Sequence, residues 1–314
     1  YDSFSGNTVI LIAIAIILFS GFLVTRITKL LRLPDVSGYI LAGILIGPSV
    51  LHAIPNSILE GMGFVNDVAL SFIAFGVSKF LRKEVLRQAH HSIFAIALLE
   101  SLAAGTAVAL AMRLFGMDWA LAVLLGSIAI ATAPSSTMMT INQYHARGPF
   151  VNALLQVVAL DNMICLAVFS VAVAFVSAQG APTWRMVLVP TLLNAAFPLA
   201  GAVGGWCLSR LLTPERSQEN RLILCLATLI GLAGFCAIFS VSPLLSCMAF
   251  GVVYVNLTDD KALFKQINRF TPPIMSIFFI VSGMNLNLSL LASLGVVGVV
   301  YFLLRMIAKY VASE

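Results

Sequence analysis

One carboxylate sits in surroundings that a carboxylate normally avoids. Asp161 lies near the middle of an apolar run, in Leu154-Leu155-Gln156-Val157-Val158-Ala159-Leu160-Asp161-Asn162-Met163-Ile164-Cys165-Leu166. If that run crosses a bilayer, an ionised Asp there costs at least ~2.5–3.5 kcal/mol. It therefore needs a cationic partner, a proton or access to water. Such groups bind and release small cations or protons along transport pathways. The plainer alternative is a buried Asp that caps a broken helix or pairs with a fixed cation.

A second feature lies one run earlier. Ile128-Ala129-Ile130-Ala131-Thr132-Ala133-Pro134-Ser135-Ser136-Thr137 puts a proline in mid-run, followed at once by three hydroxyls. Pro134 removes a helix donor and disfavours helical geometry at Ala133. Carbonyls freed there, with the hydroxyls of Thr132, Ser135 and Ser136, could coordinate a dehydrated cation, as broken helices do in secondary transporters. A proline kink satisfied by Ser and Thr is the alternative. Near the chain's end, Arg305 and Lys309 are four residues apart and share a helix face. Lys309 is the better exchangeable partner, because a buried Lys shifts its protonation readily while Arg stays charged. Both could instead snorkel to an interface. Glu100, in Leu98-Leu99-Glu100-Ser101, reads as a structural hydrogen-bond partner.

The elements that must hold these side chains follow from composition. The chain has 314 residues, 60% hydrophobic and only 10% charged, against ~25% charged in soluble domains. Mean hydropathy is +1.02. This excludes a disordered chain, a disulfide scaffold and an ordinary soluble enzyme, and leaves a polytopic helical membrane protein. Apolar runs fall at about 8–25, 37–52, 64–81, 91–115, 118–141, 150–178, 185–210, 221–240, 242–257, 270–287 and 289–313. They show no period-2 alternation, so they predict about eleven helices rather than barrel strands. The five Cys lie inside apolar runs without paired spacing, which predicts core packing. No soluble domain, cleavable signal peptide or nucleic-acid-binding pattern is evident.

Charge predicts the orientation. Of the 18 Lys and Arg, fourteen follow the odd-numbered runs: Arg26, Lys29, Arg32; Lys79, Arg82, Lys83, Arg87; Arg147; Arg210, Arg216, Arg221; and Lys261, Lys265, Arg269. Arg113 and Arg185 lie on the other side, and Arg305 and Lys309 within the last run. The positive-inside rule then places the N-terminus outside and the C-terminus in the cytoplasm, in a multi-pass inner-membrane protein.

Together these features resemble the monovalent cation:proton antiporter superfamily, in its bacterial sodium- or potassium/proton exchanger branch. Pro34-Asp35-Val36-Ser37-Gly38-Tyr39-Ile40-Leu41-Ala42-Gly43-Ile44-Leu45-Ile46-Gly47-Pro48 is similar to the family's entry helix. Ala131 to Ile141 resembles its unwound crossing helix. Arg147-Gly148-Pro149, followed by Val158-Ala159-Leu160-Asp161-Asn162, resembles the approach to its paired-residue motif. Phe278-Phe279-Ile280-Val281-Ser282-Gly283-Met284 and Arg305-Met306-Ile307-Ala308-Lys309 match its later segments in family order.

The resemblance implies an all-α, inverted-repeat antiporter fold with a discontinuous crossing helix. About eleven of an expected thirteen spans would be present. It implies a homodimer, with scaffold or dimer parts at 1–63 and 179–288. Core transport helices would occupy 64–178, and the start of a second core repeat 289–314. It implies exchange of Na+, Li+ or K+ for protons, with no cofactor. Asp161, Asn162, Thr132, Ser135 and Ser136 would form the ion and proton site. Asp161 would be the carboxylate that holds the metal cation. Lys309 and Arg305 would form the coupling salt bridge, and Pro134 the helix break.

Two departures stand out. The second position of the acid pair is Asn162, an amide that can coordinate a cation but cannot take up a proton as a carboxylate does. A one-residue slip would instead pair Leu160 with Asp161. The chain also ends before the family's last two helices. The expectations left open are exchange through Asp161, a non-transporting sensor built on a degenerate antiporter, and a sodium-coupled symporter of an organic anion. An aspartyl intramembrane protease would need two Asp at this depth and has one. A zinc-dependent one would need HExxH, which is absent.

Overall fold

The computed structural model describes residues 6–83, 92–177, 184–212, 216–239, 241–258 and 260–313. Arg87 and the run ends at 91, 178 and 240 lie outside the described residues, as do the side chains of Arg185 and Lys261. The described elements are helices: α1 (Gly6–Leu30), α2 (Asp35–Ile46), α3 (Asn56–Gly61), α4 (Gly63–Ser78), α5 (Ser92–Leu114), α6 (Trp119–Ala129), α7 (Pro134–Gln143), α8 (Pro149–Ser177), α9 (Trp184–Leu211), α10 (Gln218–Ile238), α11 (Pro243–Leu257), α12 (Lys261–Met284) and α13 (Leu288–Ser313). Each apolar run contains a helix among the described residues, and run five is split into α6 and α7. Among the described residues, six helical stretches, two of them the joined α3–α4 and α6–α7 segments, are long and apolar enough to cross a membrane, and α2 and α11 are shorter apolar helices.

Local chemistry sets the boundaries. Pro34 enters α2 with extended backbone and Asp35 in its first turn, where a carboxylate complements the helix dipole. Gly47 and Pro48 end it, so run two is helical only to Ile46. Asp118 caps α6 by accepting from the Ala120 amide at 3.0 Å. Ser242 caps α11, with Pro243 at its first position. One departure lies inside α13. Gly295 has φ +49° and ψ −132°, a conformation that favours glycine, so run eleven is kinked near its start rather than straight.

The helices pack in two groups. In the first, α5 packs on α6, α8 and α13, and α6 packs on α8; Val108 and Met112 of α5 meet Ala122 and Ala129 of α6 in its buried cluster. In the second, α2 packs on α1 and α12, α4 on α11 and α12, and α9 on α11. Residues 64–78, grouped with the Asp161 helix in the sequence reading, make their main contacts here. The reason is aromatic. Phe75 of α4 stacks on Phe264 of α12 with ring centroids 4.5 Å apart, and Phe250 and Tyr254 of α11 close round it. Helix α7 touches α2 and α8, and α9 touches α8, so the groups meet beside the helix break. Large apolar side chains such as Leu11, Phe19, Leu114 and Phe302 are exposed, as lipid-facing residues are. Four cysteines are buried, in line with packing, but Cys207 is exposed.

Small residues permit the tightest crossings. A Cβ on Gly43 would lie 2.0 Å from the Ile280 carbonyl oxygen, and one on Gly283 would lie 2.3 Å from that of Ile40. Helices α2 and α12 therefore touch backbone to backbone, the small-residue packing usual between membrane helices. Gly201 and Gly205 do the same for α9 against α11. The obstacle at Gly43 is backbone and cannot rotate away. Gly43→Ala is expected to destabilise the protein by at least ~1–3 kcal/mol, the scale of overpacking. The check is thermal unfolding in detergent, where an unchanged midpoint would contradict the close crossing.

Candidate functional site

The break between α6 and α7 creates the site. Ile130 to Ala133 are not α-helical, and Pro134 takes the first position of α7, where its missing N–H costs nothing. The gap brings Thr132 against the middle of α8. Asp161, fully buried at 0% exposure, receives three donors there. Its Oδ2 accepts from Thr132 Oγ1 at 2.6 Å and from Lys309 Nζ at 2.8 Å. Its Oδ1 accepts from Ser101 Oγ at 3.2 Å.

Lys309 does not snorkel. Its ammonium turns inward and donates to Asp161, to Thr132 Oγ1 at 2.6 Å and to Glu100 Oε1 at 3.1 Å. All three of its donors are used. Glu100, 9% exposed, is thus an ion-pair partner at the site rather than a simple hydrogen-bonding prop. Its neighbour Ser101 reaches Asp161, so one turn of α5 serves both charges. The Lys309–Asp161 pair links α13 to α8, and the Lys309–Glu100 pair links α13 to α5. Burying an ion pair is favourable only when the remaining donors and acceptors are satisfied as well, and Thr132 and Ser101 do that here.

Arg305 has a different task from the one the sequence suggests. It forms no carboxylate pair among the described residues. Its Nε donates to the Ala129 carbonyl at 3.0 Å, and the far end of its guanidinium donates to the Ala131 carbonyl. Asn162, one residue after Asp161, turns its amide to the same segment. Its Nδ2 donates to the Thr132 carbonyl at 2.6 Å and to the Val158 carbonyl of its own helix at 2.7 Å. The carbonyls expected to lie open for a cation are therefore largely engaged: Ala129 and Ala131 by Arg305, Thr132 by Asn162, and Ala133 by Thr137 Oγ1 at 2.9 Å. The broken segment is clamped from both sides, with its charged ligands supplied by neighbouring helices. Cys165 adds a sulfur contact to the Ser127 carbonyl at 3.3 Å, tying α8 to α6.

Two of the expected site residues point elsewhere. Ser136 Oγ donates back to the Ala133 carbonyl at 3.3 Å. Ser135 is buried and lines a separate cavity of about 220 Å³ with Asp35, Tyr39, Asn142, Asn268 and Thr271. A helix start sends successive side chains about 100° apart, so consecutive hydroxyls cannot all face Asp161. The structure thus brings together Asp161, Asn162, Thr132, Arg305 and Lys309, and adds Glu100 and Ser101. Among the described residues, no cluster of three or more His, Cys, Asp or Glu forms. The arrangement suits a single small cation competing with an ammonium for one carboxylate.

Comparison with known proteins shows the family and the fold. The family described as sodium/hydrogen exchanger, transmembrane, matches residues 11–313. The Na(+)/H(+)-K(+) antiporter GerN of Bacillus cereus is 25% identical over 281 residues, covering 87% of this chain and 71% of that protein. The glutathione-regulated potassium-efflux system protein KefC of Klebsiella pneumoniae is 24% identical over 294 residues. That match covers 90% of this chain but 46% of KefC, so the chain spans less than half of that relative. Among solved structures, the sodium proton antiporter MjNhaP1 from Methanocaldococcus jannaschii superposes with a TM-score of 0.72 at 18% identity, covering 96% of this chain and 78% of that one.

Proposed function

The chain belongs to the transmembrane sodium/hydrogen exchanger family, and from that premise we propose that it exchanges a monovalent cation for protons through Asp161. The observation that carries this reading is the 2.8 Å contact between Lys309 Nζ and Asp161 Oδ2 at a position with no solvent exposure. A cation that takes Asp161 as its ligand competes with the ammonium already paired there for the carboxylate's charge. Protonation of the carboxyl breaks the same pair. Cation and proton therefore compete for one charge, and such competition is what couples two opposite fluxes.

Alternating access needs one body to move against another. The helices α5, α6, α8 and α13, which hold every charge of the site, are the natural mobile unit, and the group around α2, α4, α9, α11 and α12 is the support. The cavity beside Ser135 lies where α2, α4, α7 and α12 meet, and is the approach to the break from one side. In this reading the protein is a multi-pass protein of the inner membrane. Its C-terminus faces the cytoplasm, its assembly is a homodimer, and the transported species are Na+, Li+ or K+ and H+. The names of GerN and MjNhaP1 support cation/proton exchange, and that of KefC supports potassium as a candidate cargo.

The test is proton movement in proteoliposomes on imposing a gradient of each cation in turn. Cation-dependent acidification or alkalinisation above protein-free vesicles is the expected result. A folded, inserted protein that moves no protons with any of the three cations would favour a non-transporting sensor instead.

A further inference from the structure

The ammonium displaced from Asp161 has to go somewhere, and among the described residues one other carboxylate pairs with it. Lys309 Nζ already lies 3.1 Å from Glu100 Oε1 while it holds Asp161. Glu100 sits on α5 and Asp161 on α8, so the lysine bridges carboxylates from two helices that pack on each other. Both carboxylates are buried. We propose that Glu100 is the acceptor that retains Lys309 when a cation occupies Asp161. The lysine then leaves the binding carboxylate while remaining charged and paired. This rests on the reading of Asp161 as the cation-binding carboxylate.

Without Glu100, a cation at Asp161 would leave an ammonium stranded in a buried site next to a like charge. That arrangement is costly at low local dielectric. With Glu100, the ammonium exchanges two carboxylate partners for one and stays neutralised. Glu100 is therefore a positioning residue, acting on cation binding through Lys309. Thr132 serves as the pivot, because its hydroxyl touches both Lys309 and Asp161.

The experiment reads cation affinity directly, from stabilisation of the purified protein against heat as Na+, Li+ or K+ is titrated. Proteoliposome flux is measured alongside it. Glu100→Gln should weaken apparent cation affinity by about tenfold, the scale of one buried charge-assisted hydrogen bond. Maximal flux at saturating cation should change much less. Glu100→Asp should recover part of the affinity. In a Lys309→Gln background, adding Glu100→Gln should leave the affinity unchanged, because its route of action is gone.

Three results would overturn the proposal. The first is a Glu100→Gln protein of altered thermal stability but unaltered cation affinity, which would make Glu100 a fold support. The second is a further loss of affinity in the Lys309→Gln background, which would make Glu100 a direct cation ligand. The third is a wild-type protein that no monovalent cation stabilises, which would overturn the Asp161 reading as well. A wild type that binds cations but moves no protons would remove the exchange reading alone, and the affinity shifts would still decide the role of Glu100.

Discussion

Asp161→Asn abolishes cation-dependent proton flux, to the level of protein-free vesicles, and leaves a folded protein. Both halves of this expectation follow from the surrounding charges. Asp161 is the carboxylate whose charge a monovalent cation or a proton takes over when Lys309, already in contact with Glu100, lets it go. With Asn at 161 the remaining Lys309–Glu100 pair is neutral by itself, 3.1 Å apart. The amide offers a carbonyl oxygen but no charge and no proton-accepting site near neutral pH. The fold survives because Lys309 keeps a carboxylate, so no uncompensated buried charge is created. Removing one partner of a buried pair usually costs about 3–5 kcal/mol because the other is stranded, and Glu100 prevents that stranding. The measurement is flux with each cation on variant protein whose thermal unfolding and insertion match the parent. Robust exchange by Asp161→Asn would end the proposal that this carboxylate carries the ion.

The depth of Asp161 was legible because a carboxylate among Leu, Val and Ala violates the cost of membrane insertion, whatever the fold. The break at Ala133 was legible for a similar reason: proline geometry is local and acts on the preceding residue. The inward turn of Lys309 was not. A lysine near a helix end has two favourable environments, and only the packing of α13 on α5 chooses between them. Arg305 is the clearest case of information absent from the sequence. Its partners are the carbonyls of Ala129 and Ala131, which are free only because the helix breaks there, 174 residues earlier in the chain. Ser135 and Ser136 misled for a geometric reason. Their side chains fan out around the start of α7, while the hydroxyl that reaches Asp161 belongs to Thr132, before the proline, in the non-helical segment. Glu100 was visible as a mid-run acid, but nothing in its spacing could link it to a lysine on another helix.

Asn162→Asp is expected to weaken the protein, with exchange reduced and not enhanced, although the family resemblance puts a carboxylate at this position. The Asn162 side chain is a donor here. Its Nδ2 serves the Thr132 carbonyl at 2.6 Å and the Val158 carbonyl at 2.7 Å. An aspartate has no N–H and, when ionised, no donor at all. Its oxygens would face two carbonyl oxygens at hydrogen-bond distance. The Val158 carbonyl keeps its backbone donor within α8, but the Thr132 carbonyl loses its side-chain donor, and a buried acceptor left without one costs about 1–3 kcal/mol. Protonation would return one donor in place of the amide's two. The Thr132 carbonyl belongs to the same residue whose hydroxyl bridges Asp161 and Lys309, so losing the anchor loosens the ion site with the break. A lowered thermal midpoint in detergent, together with reduced cation-dependent flux per folded molecule, is the expected pair of results. A rise in flux at unchanged stability would mean that position 162 accepts a carboxylate without strain. Position 162 would then be the carrier, and the donor role seen here would belong to a silenced form of the site. The two outcomes separate cleanly because an anchor acts on stability and flux together, whereas a carrier acts on flux alone.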